Sequence, residues 1–250
     1  YLLALSIMIW LDNPSLFPYS NTAIILNLTL LHAWIPTYPI SINFPGWSLS
    51  VEMFFYLLFP LILIHIKERK VSALTVLFYS ISLWLVTQVI LSIGLESQYY
   101  NGPFSQLHDL IFYFPLAHLC SFLAGLAGAI WFIQKKPAIK NNLLSTLYVA
   151  AALLAIILII NNASDINHFL GVKLAFGSSL LMPLFLLFIV AISLCQSRVV
   201  TFLNARPFVL LGEASYSVYI LQFPVFFLFE KYTRDIFTLS PLLNFLLYFT

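Results

Sequence analysis

The stretch Trp47-Ser48-Leu49-Ser50-Val51-Glu52-Met53-Phe54-Phe55-Tyr56-Leu57-Leu58-Phe59-Pro60 decides the fold, because it sets a carboxylate, two hydroxyls and a phenol into a segment otherwise made for lipid. Read as a helix, it stacks Ser48, Glu52 and Tyr56 on one face at a spacing of four residues, while Leu49, Met53 and Leu57 point elsewhere. Ionisable groups inside membrane spans are rare, and they face the protein interior or a wet cavity, which makes each a functional-site hypothesis.

The surrounding composition supports a membrane setting. Hydrophobic residues make up 62% of the 250 residues and charged ones only 8%, with 17% aromatic and a mean hydropathy of +0.98. A soluble domain of this size needs a charged surface, whereas the charges here fall in short gaps between apolar runs. The net charge of +2 contains no basic run of the kind that binds nucleic acid. Cys120 and Cys195 lie in apolar runs and read as small buried hydrophobes, with no metal spacing.

A membrane span needs about 20 apolar residues. The sequence offers runs at 1 to 11, 47 to 66, 71 to 93, 110 to 134, 143 to 161, 172 to 195, 206 to 229 and 240 to 250, six whole and two partial. The run from 19 to 34 is short and interrupted by Asn21, Thr22, Asn27, Thr29 and His32, and it reads as a short span, a re-entrant piece or an interfacial helix. The expected fold is all-α, a multi-pass transmembrane helical bundle in one membrane-embedded domain over 1–250. Asn13-Pro14, Asn101-Gly102-Pro103 and Lys136-Pro137 mark turns between spans.

Basic residues set the orientation. Lys67, Arg69, Lys70, Lys135, Lys136, Lys140, Arg198 and Arg206 occupy one set of gaps, against Lys173, Lys231 and Arg234 in the alternate set. The first set is therefore cytoplasmic. The 35 to 46 loop then lies outside, and Glu52 sits about one and a half turns below the outer interface.

Glu52 has two readings: a carboxylate serving a wet site, or a structural acid at its own helix start. In Leu211-Gly212-Glu213-Ala214-Ser215-Tyr216-Ser217-Val218-Tyr219-Ile220-Leu221-Gln222-Phe223-Pro224, the residues Ser215, Tyr219 and Gln222 share a helical face. Such hydroxyl-rich stripes also serve as interhelical glue. His118, near Gly125 and Gly128, reads as hydrogen-bonded packing. His32 could approach the outer end of the Trp47 helix and line a site. His65, His108 and His168 fall at span ends or in loops. No two of the five histidines make a metal-binding pair at helical spacing, and no phosphate loop or nucleophile elbow is present.

Trp47-Ser48-Leu49-Ser50-Val51-Glu52 followed by Phe55-Tyr56-Leu57-Leu58-Phe59-Pro60 resembles the signature of the membrane acyltransferase 3 family, bacterial integral-membrane O-acyltransferases of cell-surface sugars. Met53 and Phe54 stand where the family has a second acid or Gln. Phe122-Leu123-Ala124-Gly125 and Ser215-Tyr216-Ser217-Val218-Tyr219-Ile220 are similar to two further family motifs, except that Gln222 stands where a His is usual. The resemblance covers about Tyr1 to Phe229.

The resemblance implies ten spans, of which the first two and the end of the last would be missing here, and a non-spanning helix near 19–34. It implies transfer of an acyl group, acetyl foremost, from acyl-CoA to a hydroxyl of a polysaccharide, lipopolysaccharide or other glycoconjugate at the bacterial inner membrane. No bound cofactor is implied, since acyl-CoA is a substrate. None of the five histidines matches the family's catalytic one, which is expected in the missing first span. The 250 residues alone are accordingly expected to be inactive. Glu52 is then a supporting catalytic residue, with Trp47, Ser48, Tyr56, His32, Ser215, Tyr216, Tyr219 and Gln222 lining the substrate cavity. A transporter or flippase for a sugar-linked intermediate is the rival reading, and a non-catalytic scaffold a third.

Overall fold

The computed structural model describes residues 1–11, 20–135, 143–195 and 198–233. The expected span at 240 to 250, the turns Asn13-Pro14 and Lys136-Pro137, and the cations Lys136, Lys140 and Arg234 lie outside the described residues. Among those described, all regular structure is helical: α1 (Leu2–Leu11), α2 (Asn21–Leu28), α3 (Trp47–Arg69), α4 (Ala73–Glu96), α5 (Gln106–Phe112), α6 (Leu119–Lys135), α7 (Leu143–Asn161), α8 (Ala163–Leu170), α9 (Met182–Ser193), α10 (Arg198–Leu203) and α11 (Arg206–Thr233). The chain is an all-α membrane protein.

Helix boundaries follow local chemistry. Ser20, Ser72 and Ser105 cap α2, α4 and α5 by accepting the backbone N–H of Ala23, Thr75 and His108. The 23 residues of α3 span about 35 Å at 1.5 Å per residue, enough for a hydrocarbon core of about 30 Å. That helix stops where Lys70 turns left-handed, at φ 49°.

Four helical stretches among the described residues are long and apolar enough to cross a membrane, and five if one bent pair counts as a span. The six whole spans expected are reduced in two places. The run at 143 to 161 forms α7, which bends by 73° into α8; there the Asn162 amide donates to the Leu158 carbonyl at 2.7 Å and competes with the helix backbone. The run at 172 to 195 becomes helical only at Ser179, because Gly171 ends α8 in the left-handed region and residues 172–178 stay irregular. Ser179–Ser193 is left as a shorter apolar helix.

The span expected at 110 to 134 is present over Gln106–Lys135 but broken. Pro115 has no N–H, and it pushes Phe114 into extended backbone (φ −67°, ψ 130°). A short 3₁₀ turn, Pro115–His118, then leads into α6. The run at 19 to 34 forms only the eight-residue α2 and a 3₁₀ turn at His32–Trp34, too short to span.

The chain divides into two compact units, Tyr1–Ser50 with Leu210–Thr250, and Val51–Val209. The first is built on Leu5, Met8, Leu11, Ala23, Ile42 and Phe227, with Tyr38 and Phe223 packed against them. In the second, α4 packs on α6 through Ala73, Val76, Leu126, Ala127 and Ile130. The Ser80 hydroxyl donates to the Cys120 carbonyl at 2.8 Å, and Phe55 of α3 stacks on Phe122 with ring centroids 4.7 Å apart. Trp84 donates to the Ser179 carbonyl at 3.0 Å and so ties α4 to the start of the apolar helix at Ser179–Ser193.

Candidate active site

Between α2 and α3 the first unit holds a knot of buried polar side chains. Asn27 is 1% exposed. Its amide nitrogen donates to the Ala23 carbonyl and to the Ser41 hydroxyl, both at 2.9 Å, while its Oδ1 accepts the Tyr1 hydroxyl at 3.1 Å. The first turn of α3 is held to the same segment, because the Ser50 hydroxyl donates to the carbonyl of Leu30 at 2.5 Å. Leu30 presents that carbonyl from a left-handed conformation, φ 57°.

Asn43 closes the knot through a defect in α11. Pro224 lies inside that helix and is fully buried. Lacking an N–H, it leaves the carbonyl of Ile220, one turn earlier, without its helical donor. The Asn43 amide fills that place at 3.0 Å. Its own Oδ1 is buried and makes no hydrogen bond. Phe44 stacks on Phe223 at 5.3 Å beside it.

His32 lies fully buried next to this turn, and neither ring nitrogen makes a hydrogen bond of good geometry. Burial holds its pKa below the ordinary histidine value, and the nearby backbone of Gly46 and Leu26 opposes this only in part. The backbone at Gly46 passes close to two rings. A Cβ there would come within 3.4 Å of Tyr1 Cε2 and 3.5 Å of His32 Nε2, so anything beyond a methyl would push the two rings aside. A neutral imidazole offers one donor and one acceptor.

Along α3 the polar face closes on itself. Ser48 donates to the Pro45 carbonyl at 3.0 Å, next to the half-buried Trp47. One turn further on, the Tyr56 hydroxyl donates to Oε1 of the half-buried Glu52. The shared face read from the spacing is therefore real for the acid and the phenol, while Ser48 turns back to the loop.

On α11 the buried face is Ile220, Pro224 and Phe227. Ser215, Tyr219 and Gln222 lie on exposed surface, and the Ser215 hydroxyl donates to the Gly212 carbonyl at 2.6 Å. Tyr216 is half exposed but within electrostatic reach of the Tyr1 phenol. Sequence reading passed over Tyr1, Asn27, Ser41 and Asn43. For the last three the signal is the run of amides and hydroxyls through 20–43.

A family model described as an acyltransferase domain matches residues 1–250, the whole chain. The chain belongs to the acyltransferase 3 family. Among curated proteins it is similar to the O-acetyltransferase OatA of Staphylococcus aureus, in strains NCTC 8325 / PS 47 and COL alike, at 27% identity over 197 residues. That alignment takes in 74% of this chain and 30% of the relative, so the chain spans under a third of the length of the curated proteins it matches. No solved structure matches it.

Proposed function

We propose that this member of the acyltransferase 3 family serves a membrane O-acyltransferase, which moves an acyl group, acetyl foremost, from acyl-CoA to a hydroxyl of a cell-surface polysaccharide or glycoconjugate at the bacterial inner membrane. The observation that carries the reading is the family match over all 250 residues. The paired Glu52 and Tyr56 on the motif helix are consistent with it, and so is the O-acetyltransferase activity in the relative's name.

In such a transfer the acceptor oxygen attacks the thioester carbonyl, a C–O bond forms, and a base takes the hydroxyl proton. The tetrahedral oxyanion then collapses, the C–S bond breaks, and CoA leaves as the thiol with that proton. Glu52 supports the step by orienting a basic partner or an acceptor hydroxyl, and Tyr56 fixes the carboxylate that does so. Trp47, Ser48 and His32 with Ser215, Tyr216, Tyr219 and Gln222 supply the polar lining for the sugar.

The test is acylation of cell-surface polysaccharide by membranes holding the protein in its native length. Glu52→Gln should lower the rate about 100-fold, the lower end of what general acid–base participation contributes. Glu52→Asp should restore part of it. A Glu52→Gln protein that inserts normally and acylates at the normal rate would remove Glu52 from the mechanism.

A further inference from the structure

The second unit carries a groove that the acyl-transfer reading does not use. It has a volume of about 570 Å³ and runs between α6 and the apolar helix at Ser179–Ser193. Its floor is Ala124, Gly125, Gly128 and Ala129, and Phe132, Phe185 and Ile189 are among its walls. The hydroxyls of Ser121, Ser178 and Ser179 gather at the end away from Lys135. Ser179 is engaged, donating to the Ala117 carbonyl at 2.7 Å. The Ser178 hydroxyl oxygen is buried and makes no hydrogen bond.

We propose that this groove binds one hydrocarbon chain of a bilayer lipid, with the Ser178 hydroxyl donating to an ester or head-group oxygen where the chain begins. Water is a poor occupant, because it needs two to four polar partners and the body of the groove offers hydrocarbon. The groove runs along roughly 18 Å of α6, from Ser121 to Ile133. A single chain suits the length, since one leaflet contributes roughly 15 Å of hydrocarbon. Gly125 makes the room: a Cβ there meets nothing within 4 Å. The position lies in the Phe122-Leu123-Ala124-Gly125 motif, so the groove gives that glycine a role that close helix packing does not.

The experiment places the protein in phosphatidylglycerol vesicles containing a trace of phosphatidylglycerol with a photoactivatable diazirine on its acyl tail, and maps cross-links by peptide. Labelling of residues 121–133 and 182–193 should exceed severalfold that of the lipid-facing side of α4, marked by Leu74, Phe78 and Ile93. Gly125→Phe should abolish the excess while leaving the α4 labelling unchanged. Ser178→Ala keeps the groove open and serves if the bulky variant fails to insert; it should reduce the excess severalfold. Equal labelling of groove and α4, or an excess untouched by either variant, would overturn the proposal.

Discussion

In the unit formed by Tyr1–Ser50 with Leu210–Thr250, amides and hydroxyls tie together segments far apart in sequence: Tyr1 to Asn27, Asn27 to Ser41, Asn43 to Ile220. In Val51–Val209 the helices meet through alanine, glycine, leucine and phenylalanine, and side-chain hydroxyls donate singly to carbonyls, as Ser80 does to Cys120 and Ser92 to Lys173. The contrast teaches where specificity is stored. A single hydroxyl between membrane helices averages only about 0.6 kcal/mol, so the second unit depends on shape. A linked network leaves several groups unpaired when one member is lost, so the first unit depends on completeness.

The sharpest way to break this contrast is Asn27→Leu, which takes from the Ser41 hydroxyl its amide donor and leaves the Tyr1 hydroxyl only the backbone carbonyl of residue 27, at 3.3 Å. With about 1–3 kcal/mol for an unsatisfied buried group, a loss of about 2 kcal/mol is expected, read as a lowered melting temperature in detergent. Ser80→Ala in the second unit should cost less than a third of that. Equal costs would end the distinction.

The Asn43–Ile220 bond sharpens it further. Asn43→Ala should cost about 1–2 kcal/mol, because the Ile220 carbonyl is left without a donor. In a Pro224→Ala background the new backbone N–H supplies that donor, so the penalty should shrink by about 1 kcal/mol in a double-mutant cycle. Strict additivity would show that the amide does not stand in for the missing helical bond.

His32 gives the first unit a pH dependence. Its pKa is lowered on folding, so as pH falls below about 6.5 the unfolded chain takes up a proton that the folded one refuses. The stability present above that value is lost progressively down to the depressed native pKa. Melting temperature should therefore drop between pH 7 and 5, and His32→Phe should flatten the drop. An unchanged slope would place the titration elsewhere.

The smallest expected effect separates two glycines of the second unit. Gly125→Ala meets open space and should stabilise α6 by up to about 1 kcal/mol. Gly128→Ala brings a Cβ to 3.0 Å from Leu186 Cδ1 and should cancel or reverse that gain.

The helical membrane class was legible because apolar runs of span length leave few other solutions, and the shared face of Glu52 and Tyr56 was legible because a four-residue spacing fixes which side chains meet on a helix. The break at Pro115 follows from the residue itself, which has no N–H and restricts Phe114. The polar knot was not legible. Its members lie just before α1, on α2, in a loop and on α11, and no local periodicity relates Tyr1 to Asn27 or Asn43 to Ile220. Nor does a sequence say that one amide will complete another helix's hydrogen bonding. The exposed position of Ser215, Tyr219 and Gln222 was equally out of reach, since a stripe on a helix does not state which of its faces the neighbours cover.

The hydrogen bond from Asn43 to Ile220 also sets a clock for biogenesis. The two residues are 177 positions apart, and at 5–20 residues per second roughly 10–35 s separate their synthesis. Through that interval the segment carrying His32 and Asn43 waits without the strand of chain that completes it, so conditions that slow synthesis of the last helix should leave this loop, before any other part of the protein, open to proteases and chaperones.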